Sequence, residues 1–366
     1  MTLTTGSPKR RVLHFVTGGF SGATQVAIDL ALAELTSEHL EPMLVLRKKR
    51  NTDVARVDAL RARGLRVWVV PGWSHAATIW ALRKRCLEQR PEVLVAHGFP
   101  EHLLGRWAGL WAGVARLVQV EHNTRERYSR WQLWQARWLS HRSAKLIGVS
   151  EGVRQRLVEL GMPAALAVAI PNGIALARFV ETQPFDQREP AIVMSARFAR
   201  QKDHLTLIRA LGLLKDRGLS PMLRLAGAGK ASYRRAAEAE VARLGLADQV
   251  RFLGHHAAMP ALLASTQICV LATHWEGMPL ALVEGMAAGC ACVASRVPGV
   301  EGLLEDGVTG LLVPEANAPA LAEALEGLLR DPTLAARLGT AARQRAIAEH
   351  GLGVMAQRYE TLLLAL

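Results

Sequence analysis

Residues 268–295, ICVLATHWEGMPLALVEGMAAGCACVAS, decide the fold class. Ile268–Leu271 is an apolar run too short for a helix, Pro279 belongs in the first turn of one, and Ala291–Ser295 is a second short apolar run. The apolar stretch Pro279 to Ala288 joins them, so the segment is one strand–helix–strand unit of a parallel sheet. The same alternation extends in both directions. In the second half it predicts strands at Ala191–Ala196, Met222–Ala226, Val250–Leu253 and Gly310–Val313. In the first half it predicts strands at Val12–Thr17, Met43–Leu46, Val67–Val69, Val93–Ala96, Leu117–Glu121 and Leu146–Val149, with helical segments such as Thr24–Leu35, Trp80–Gln89 and Trp131–Ser140 between them. Pro171-Asn172-Gly173 and the aperiodic Glu181 to Pro190, containing Pro184, read as a linker. The expected fold is α/β, with two Rossmann-like doubly wound domains, 1–170 and 171–350, facing a central cleft. After Ala318 the pattern is helical only, and a last helix over 351–366 is free to cross back to the first domain.

The 366 residues are enough for two domains with their own cores, and 50% apolar with 21% charged residues is a globular balance. Cys86, Cys269, Cys290 and Cys292 are too few for a disulfide framework and suit a reducing compartment. The apolar run Val12 to Val16 is too short for a signal sequence, and no stretch approaches a membrane span, so a cytoplasmic location is expected. The net charge of +13 is lopsided: residues 1–170 hold 25 Lys and Arg against 13 Asp and Glu, the remainder 20 against 19. Eight of the nine tryptophans lie in the first half as well. Cations interleaved with indoles suit an anionic membrane surface or nucleic acid. A solvated surface in an Arg-rich chain gives the same counts.

Ligands of open α/β folds bind at the carboxyl ends of the strands, so the chemistry is sought in the loops that follow them. Gly18-Gly19-Phe20-Ser21-Gly22 lies between the first strand and first helix, where free N–H groups and the helix dipole favour an anion; a turn needing Gly for geometry alone reads the same. It is not the dinucleotide fingerprint, since Leu46 runs into Arg47-Lys48-Lys49-Arg50 rather than an acidic residue. Arg197 and Lys202, after strand Ala191–Ala196, can converge on one diphosphate as planar fork and point charge. Glu276 lies in the loop before Pro279, where Gly277-Met278-Pro279-Leu280 turns into the helix, and Glu284 emerges from its second turn. On one continuous helix the two carboxylates would stand ~80° apart and more than two turns distant; the proline separates their roles. One can meet a sugar and the other a ribose diol. His122, at the end of Leu117–Glu121, would face the cleft, although a lone His is more often structural. Cys290-Ala291-Cys292 has no second Cys/His pair nearby and reads as two small buried hydrophobes, and no D-x-D supplies ligands for a divalent metal.

Assembled, these residues resemble family four of the retaining GT-B-fold glycosyltransferases, over nearly the whole chain and most specifically from Ala191 to Pro314. Glu276 to Glu284 is similar to the family's E-x7-E motif, which implies that Glu276 approaches the donor sugar and Glu284 the nucleotide ribose. Arg197 and Lys202 resemble its R…K pair on the diphosphate, Gly19 or Gly22 its phosphate-side glycine, and His122 its first-domain histidine on the donor sugar. Val250-Arg251-Phe252-Leu253-Gly254 resembles the strand and turn that meet the base. Asn172-Gly173-Ile174-Ala175 departs from the family, which often has Asp in the last place. The opening Val12 to Leu30 most resembles enzymes of lipopolysaccharide and O-antigen assembly.

The resemblance implies a hexosyltransferase acting by retention, without metal or other cofactor. The nucleotide-diphosphate sugar, a UDP-sugar by family frequency, with an N-acetylated amino sugar as one candidate for the sugar, is a substrate, and the acceptor is a lipid-linked or saccharide hydroxyl. The basic, Trp-rich first half then reads as an acceptor-binding domain peripheral on the inner membrane face, and residues 171–350 as the donor-binding domain. A sugar-nucleotide epimerase of the same fold is the alternative. Nucleic-acid binding would leave Glu276 and Glu284 without a role, and phosphorylase chemistry would need a cofactor-bearing Lys among Lys202, Lys215 and Lys230.

Overall fold

Short apolar runs fully covered on both faces form parallel strands, and a computed structural model, which describes residues 8–20, 22–126 and 128–366, gathers them into two sheets. The first holds β1 (Arg10–Thr17), β2 (Leu40–Arg47), β3 (Arg66–Val70), β4 (Val93–His97), β5 (Arg116–Glu121), β6 (Lys145–Gly148) and β7 (Ala167–Ala169), in the order β3-β2-β1-β4-β5-β6-β7. The second holds β8 (Glu189–Ser195), β9 (Leu223–Ala226), β10 (Val250–Gly254), β11 (Thr266–Leu271), β12 (Ala291–Ser295) and β13 (Leu311–Val313), in the order β10-β9-β8-β11-β12-β13. Every pairing is parallel. Each sheet therefore reverses its winding once, between β1 and β4 and between β8 and β11, and those are the places where strand-end loops part to admit a ligand.

The chain divides into two compact units: one ends at Gly173 and takes back Leu352–Leu366, and the other is Ile174–Gly351. Helix Leu352–Leu364 buries Met355, Tyr359 and Leu363, spaced by four on one face, and packs beside helix Gly22–Glu34 of its own unit. Arg10 donates to the Leu363 carbonyl, Arg116 to that of Leu366 at 2.6 Å, and Ser37 to Glu360 at 2.5 Å. In the second unit β8 carries an extra residue against β11 between the pairs Glu189–Thr266 and Ile192–Ile268. Pro190 lies in that bulge, where its missing N–H costs no ladder bond.

Several helices start where short polar side chains cap them. Ser129 forms a capping box with Gln132 ahead of helix Arg130–Ser140, and Asp203 caps helix His204–Asp216. Helix Leu280–Ala287 is among those without such a cap: Pro279 occupies its N-cap and no side chain caps it. Among the described residues no helix is long and apolar enough to cross a membrane.

Candidate functional site

In the second unit the loops after β8 and β11 are joined at the winding reversal. Lys202 and Thr273 form an antiparallel bridge, the Asp203 N–H donates to the Ala272 carbonyl at 3.0 Å, and the His274 N–H to that of Gln201 at 2.9 Å. Thr273 is held in turn by its N–H donating to Ser295 Oγ, 3.0 Å away at the end of β12. Its hydroxyl donates to Glu276 Oε1 at 2.8 Å, and the Lys202 ammonium donates to the same oxygen. Glu276 is thus a buried carboxylate, 7% exposed at its side chain, held by a cation from the neighbouring loop. Lys202 meets Glu276, while Arg197, five residues earlier, is exposed at the same strand end.

Gly299 explains how this loop packs so closely on the turn after β12. A Cβ there would sit 2.3 Å from the Glu276 carbonyl oxygen and 2.5 Å from that of Gly277. Gly277 and Met278 are buried beneath it, Pro279 follows, and Leu280 opens the helix. The uncapped first turn gives that helix N–H groups and a positive dipole end for an anion. Glu284, farther along the helix, is partly exposed and lies 3.7 Å from Arg178. Burial raises its pKa and Arg178 opposes the rise.

Beside these, the Phe198 N–H donates to the Ala228 carbonyl at 3.0 Å and the Lys230 N–H to that of Phe198 at 2.9 Å, tying the loop after β9 to the loop after β8. Phe198 stacks on His204 at 4.2 Å and lies 6.0 Å from Phe252 of β10, over which Arg234 sits at 5.6 Å. The edge thus offers cations and an uncapped helix start next to aromatic rings. Thr273, Gly299 and Arg178 belong to this arrangement and carry no local signal in the sequence; Lys230, weighed above only as a cofactor-bearing lysine, sits in Gly227-Ala228-Gly229-Lys230, a glycine-rich turn before a helix.

In the first unit Gly19 lies in the turn after β1, Gly22 begins the next helix, and Ser21 between them is outside the described residues. The close approach falls on neither: a Cβ at Gly18 would stand 2.7 Å from the Arg47 carbonyl oxygen, whereas at Gly22 it would meet nothing within 4 Å. His122 does not stand alone. Its Nε2 lies 3.4 Å from His97 Nδ1, His97 Nε2 lies 3.1 Å from His14 Nδ1, and His14 Nε2 lies 2.8 Å from Glu34 Oε2. Burial pushes His122 down to about 4 and His97 well below its ordinary value, so both are neutral at pH 7.

A second buried chain begins one residue earlier. Arg106, fully buried, donates to the His102 carbonyl at 3.1 Å, to His102 Nδ1 at 3.0 Å and to Ser143 Oγ at 3.2 Å. His102 Nε2 then faces the Tyr128 hydroxyl at 2.7 Å, which donates to Glu121 Oε2 at 2.9 Å. Burial raises Glu121 to about 8 even though the His122 N–H donates to its other oxygen at 3.0 Å.

Helices His75–Gln89, Glu101–Ala112 and Arg130–Ser140 lie side by side and carry six of the tryptophans. Trp131 and Trp134 stack at 4.7 Å and 8° while both remain exposed, Trp80 and Trp111 are exposed on the adjacent helices, and Arg83 lies over Trp80 at 5.4 Å.

Two family models match the chain in tandem: Glycosyltransferase Family 4 over residues 20–178 and Glycosyl transferases group 1 over residues 178–345. The chain belongs to glycosyltransferase family four. Among curated members of the family it is 32% identical over 165 residues to the alpha-D-kanosaminyltransferase of Streptomyces kanamyceticus, covering 44% of this chain and 42% of that one. It is 27% identical over 216 residues to the lipopolysaccharide core biosynthesis glycosyltransferase LpsE of Rhizobium meliloti, covering 58% and 62%. The chain spans about half the length of the first of these. Among solved structures, Anabaena HepE in complex with UDP superposes with a TM-score of 0.85 at 21% identity, over 98% of this chain and 100% of that one. Sucrose-phosphate synthase of Thermosynechococcus elongatus gives 0.80 at 20%, over 98% and 100%. These likenesses establish the GT-B kind of fold, two doubly wound α/β units, for this family-four member.

Proposed function

We propose that the protein transfers a glycosyl group from a nucleotide-diphosphate sugar, a UDP-sugar in the first instance, to a hydroxyl of a lipid-linked or lipopolysaccharide-type acceptor, with retention and without metal. The observation that carries this reading is the convergence of Lys202, Glu276 and an uncapped helix start on the winding reversal of the second unit. Leaving-group negative charge grows on the diphosphate in the transition state, and fixed positive groups there stabilise it without reorganising. Lys202, Arg197 and the first-turn N–H groups after Pro279 are those groups; Gly277 to Leu280 shape the approach. Glu276 serves the donor sugar and Glu284 the ribose diol, with Arg178 released from Glu284 when the diol arrives. Phe252 and its aromatic neighbours are the wall for the base. UDP in the HepE crystal and the lipopolysaccharide name of LpsE support the nucleotide and the acceptor class.

In this reading residues 1–170 bind the acceptor, His122 orients the donor sugar, and either Gly19 or Gly22 faces the phosphates. The Trp-rich helices supply a surface for an anionic membrane, since indoles settle at headgroup depth and each nearby cation adds ~1 kcal/mol. Arg130 is an exposed probe of that contact, whereas Arg137 donates to the Leu160 carbonyl at 2.6 Å and is also structural. The deciding experiment is a thermal-shift titration with UDP, GDP, ADP and NAD in EDTA, on wild type and on Glu284→Gln. A ligand at 100 times its Kd adds ~2.7 kcal/mol. A UDP shift in wild type that the variant loses supports the reading; a shift with NAD alone, or none, overturns it.

A further inference from the structure

His14 and His97 lie on the neighbouring parallel strands β1 and β4, His122 directly follows the end of the next strand, β5, and the three climb toward the same strand-end edge. His14 of β1 pairs in register with Val95 of β4, and His97 lies two residues beyond Val95. His97 pairs with Val120 of β5, and His122 lies two residues beyond Val120. Steps of two keep the side chains on one face of the sheet, so the rings meet diagonally from strand to strand. Their centroids are 5.4 Å and 5.7 Å apart. At the inner end stands Glu34, the last residue of helix Gly22–Glu34, with a side chain 1% exposed.

We propose that Glu34, His14 and His97 are positioning residues that fix His122 as its Nε2-protonated tautomer and form a relay for any proton its Nδ1 accepts. The polarity follows from the inner end. A buried carboxylate demands a donor, so His14 Nε2 carries a proton. A His14 ring carrying that single proton offers only a lone pair at Nδ1, which requires His97 to donate from Nε2. His97 in turn offers a lone pair at Nδ1, which requires His122 to donate from Nε2, leaving His122 Nδ1 bare. Nδ1 is therefore an acceptor for a sugar hydroxyl.

The relay balances. A proton arriving at His122 Nδ1 releases the Nε2 proton to His97 Nδ1, and His97 releases its own Nε2 proton to His14 Nδ1. The positive charge finishes on His14, 2.8 Å from the Glu34 carboxylate, rather than on His122. Two features favour that end point. Glu34 Oε1 has no hydrogen-bond partner among the described residues, so the carboxylate depends on His14. Burial disfavours charge on His97 and His122. Tyr359, on helix Leu352–Leu364, also faces Glu34, and burial and the Glu34 charge keep its hydroxyl protonated; Glu38, His39 and Glu360 line the same surface pocket as Glu34.

The catalytic consequence rests on the glycosyl-transfer reading, but the tautomer does not, and the test separates them. The full chain carrying 15N-labelled histidine is examined by long-range proton–nitrogen NMR at neutral pH, with the His122 signals assigned by their loss in His122→Gln. Wild type is expected to show His122 protonated at Nε2 and bare at Nδ1. Glu34→Gln, whose amide can donate to His14 Nε2, is expected to reverse or mix the tautomer; His14→Gln cuts the chain at the next link and serves if the first variant does not fold. In a transfer assay kcat should fall at least ~10-fold, as when a catalytic histidine loses its tautomer-setting carboxylate. The UDP-induced thermal shift should stay unchanged in both variants. A wild-type His122 protonated at Nδ1, or a tautomer indifferent to Glu34→Gln and His14→Gln, overturns the proposal. Absence of any transferase activity with the tautomers as expected would count against the function instead.

Discussion

Lys202→Met tests whether the Lys202–Glu276 contact holds the second unit's site together. Both side chains are largely buried, at 13% and 7% exposure, so removing the ammonium strands a carboxylate that cannot reach water without moving its loop. Breaking a buried pair from one side costs ~3–5 kcal/mol. Thr273 still donates to Glu276 Oε1 at 2.8 Å, which places the loss at the lower end, about 3 kcal/mol. For a unit of this size that lowers its melting temperature by ~6–12 °C. Glu276→Gln alone should cost ~1 kcal/mol, because the Lys202 stem can carry its ammonium toward solvent. The double variant removes both charges and should recover at least ~1.5 kcal/mol relative to Lys202→Met. Calorimetry on the four proteins gives the cycle. Lys202→Met melting within ~2 °C of wild type, or a double variant no more stable than Lys202→Met, would refute the reasoning.

Three further outcomes follow from particular residues. Gly299→Ala forces a methyl against two backbone carbonyls; it should cost ~1–3 kcal/mol and, by shifting Glu276 about 1 Å, reduce turnover ~100-fold, with urea melts and a transfer assay as readouts. Glu121, raised by burial from an ordinary 4.5 to about 8, keeps a proton in the native state that the unfolded chain releases first. Stability of the first unit should therefore fall as pH rises from about 4.5 to about 8, with this group's slope never exceeding ~1.4 kcal/mol per pH unit, and Glu121→Gln should flatten that fall in pH-resolved denaturation. All four cysteines are buried, and burial pushes the Cys86 thiol up to about 12, so Ellman's reagent should label none until the protein unfolds; prompt labelling of native protein would count against the packing around them.

Most strands were legible because parallel strands covered on both faces must be apolar throughout, and Ile268–Leu271 and Ala291–Ser295 are of that kind. What escaped had weaker physics behind it. β7 is only three residues long, and helix Val54–Ala62 is so polar that it buries only Val57 and Leu60. Glu181 to Pro190 reads as linker, yet β8 begins at Glu189 because a bulge absorbs the proline. At the site, Glu276, Lys202 and Glu284 stood out because charges at strand ends or within apolar runs need a reason. Their partners did not: Arg178 is remote from Glu284 in sequence, and Gly299 sits in a Pro-Gly pair that looks like any turn. His14 and His97 hide inside apolar runs, and their partnership exists only once β1, β4 and β5 are known to be neighbours.

The return of Leu352–Leu366 to the first unit has a consequence for synthesis. Translation at 5–20 residues per second leaves roughly 10–40 s between completion of the first unit's seventh strand and emergence of its last helix. Throughout that interval the face of helix Gly22–Glu34 that Tyr359 and Leu363 will cover is bare on the ribosome, while all of Ile174–Gly351 is being made. A chain interrupted before Leu352 would keep that face bare for good, although all seven strands of the unit would have been made.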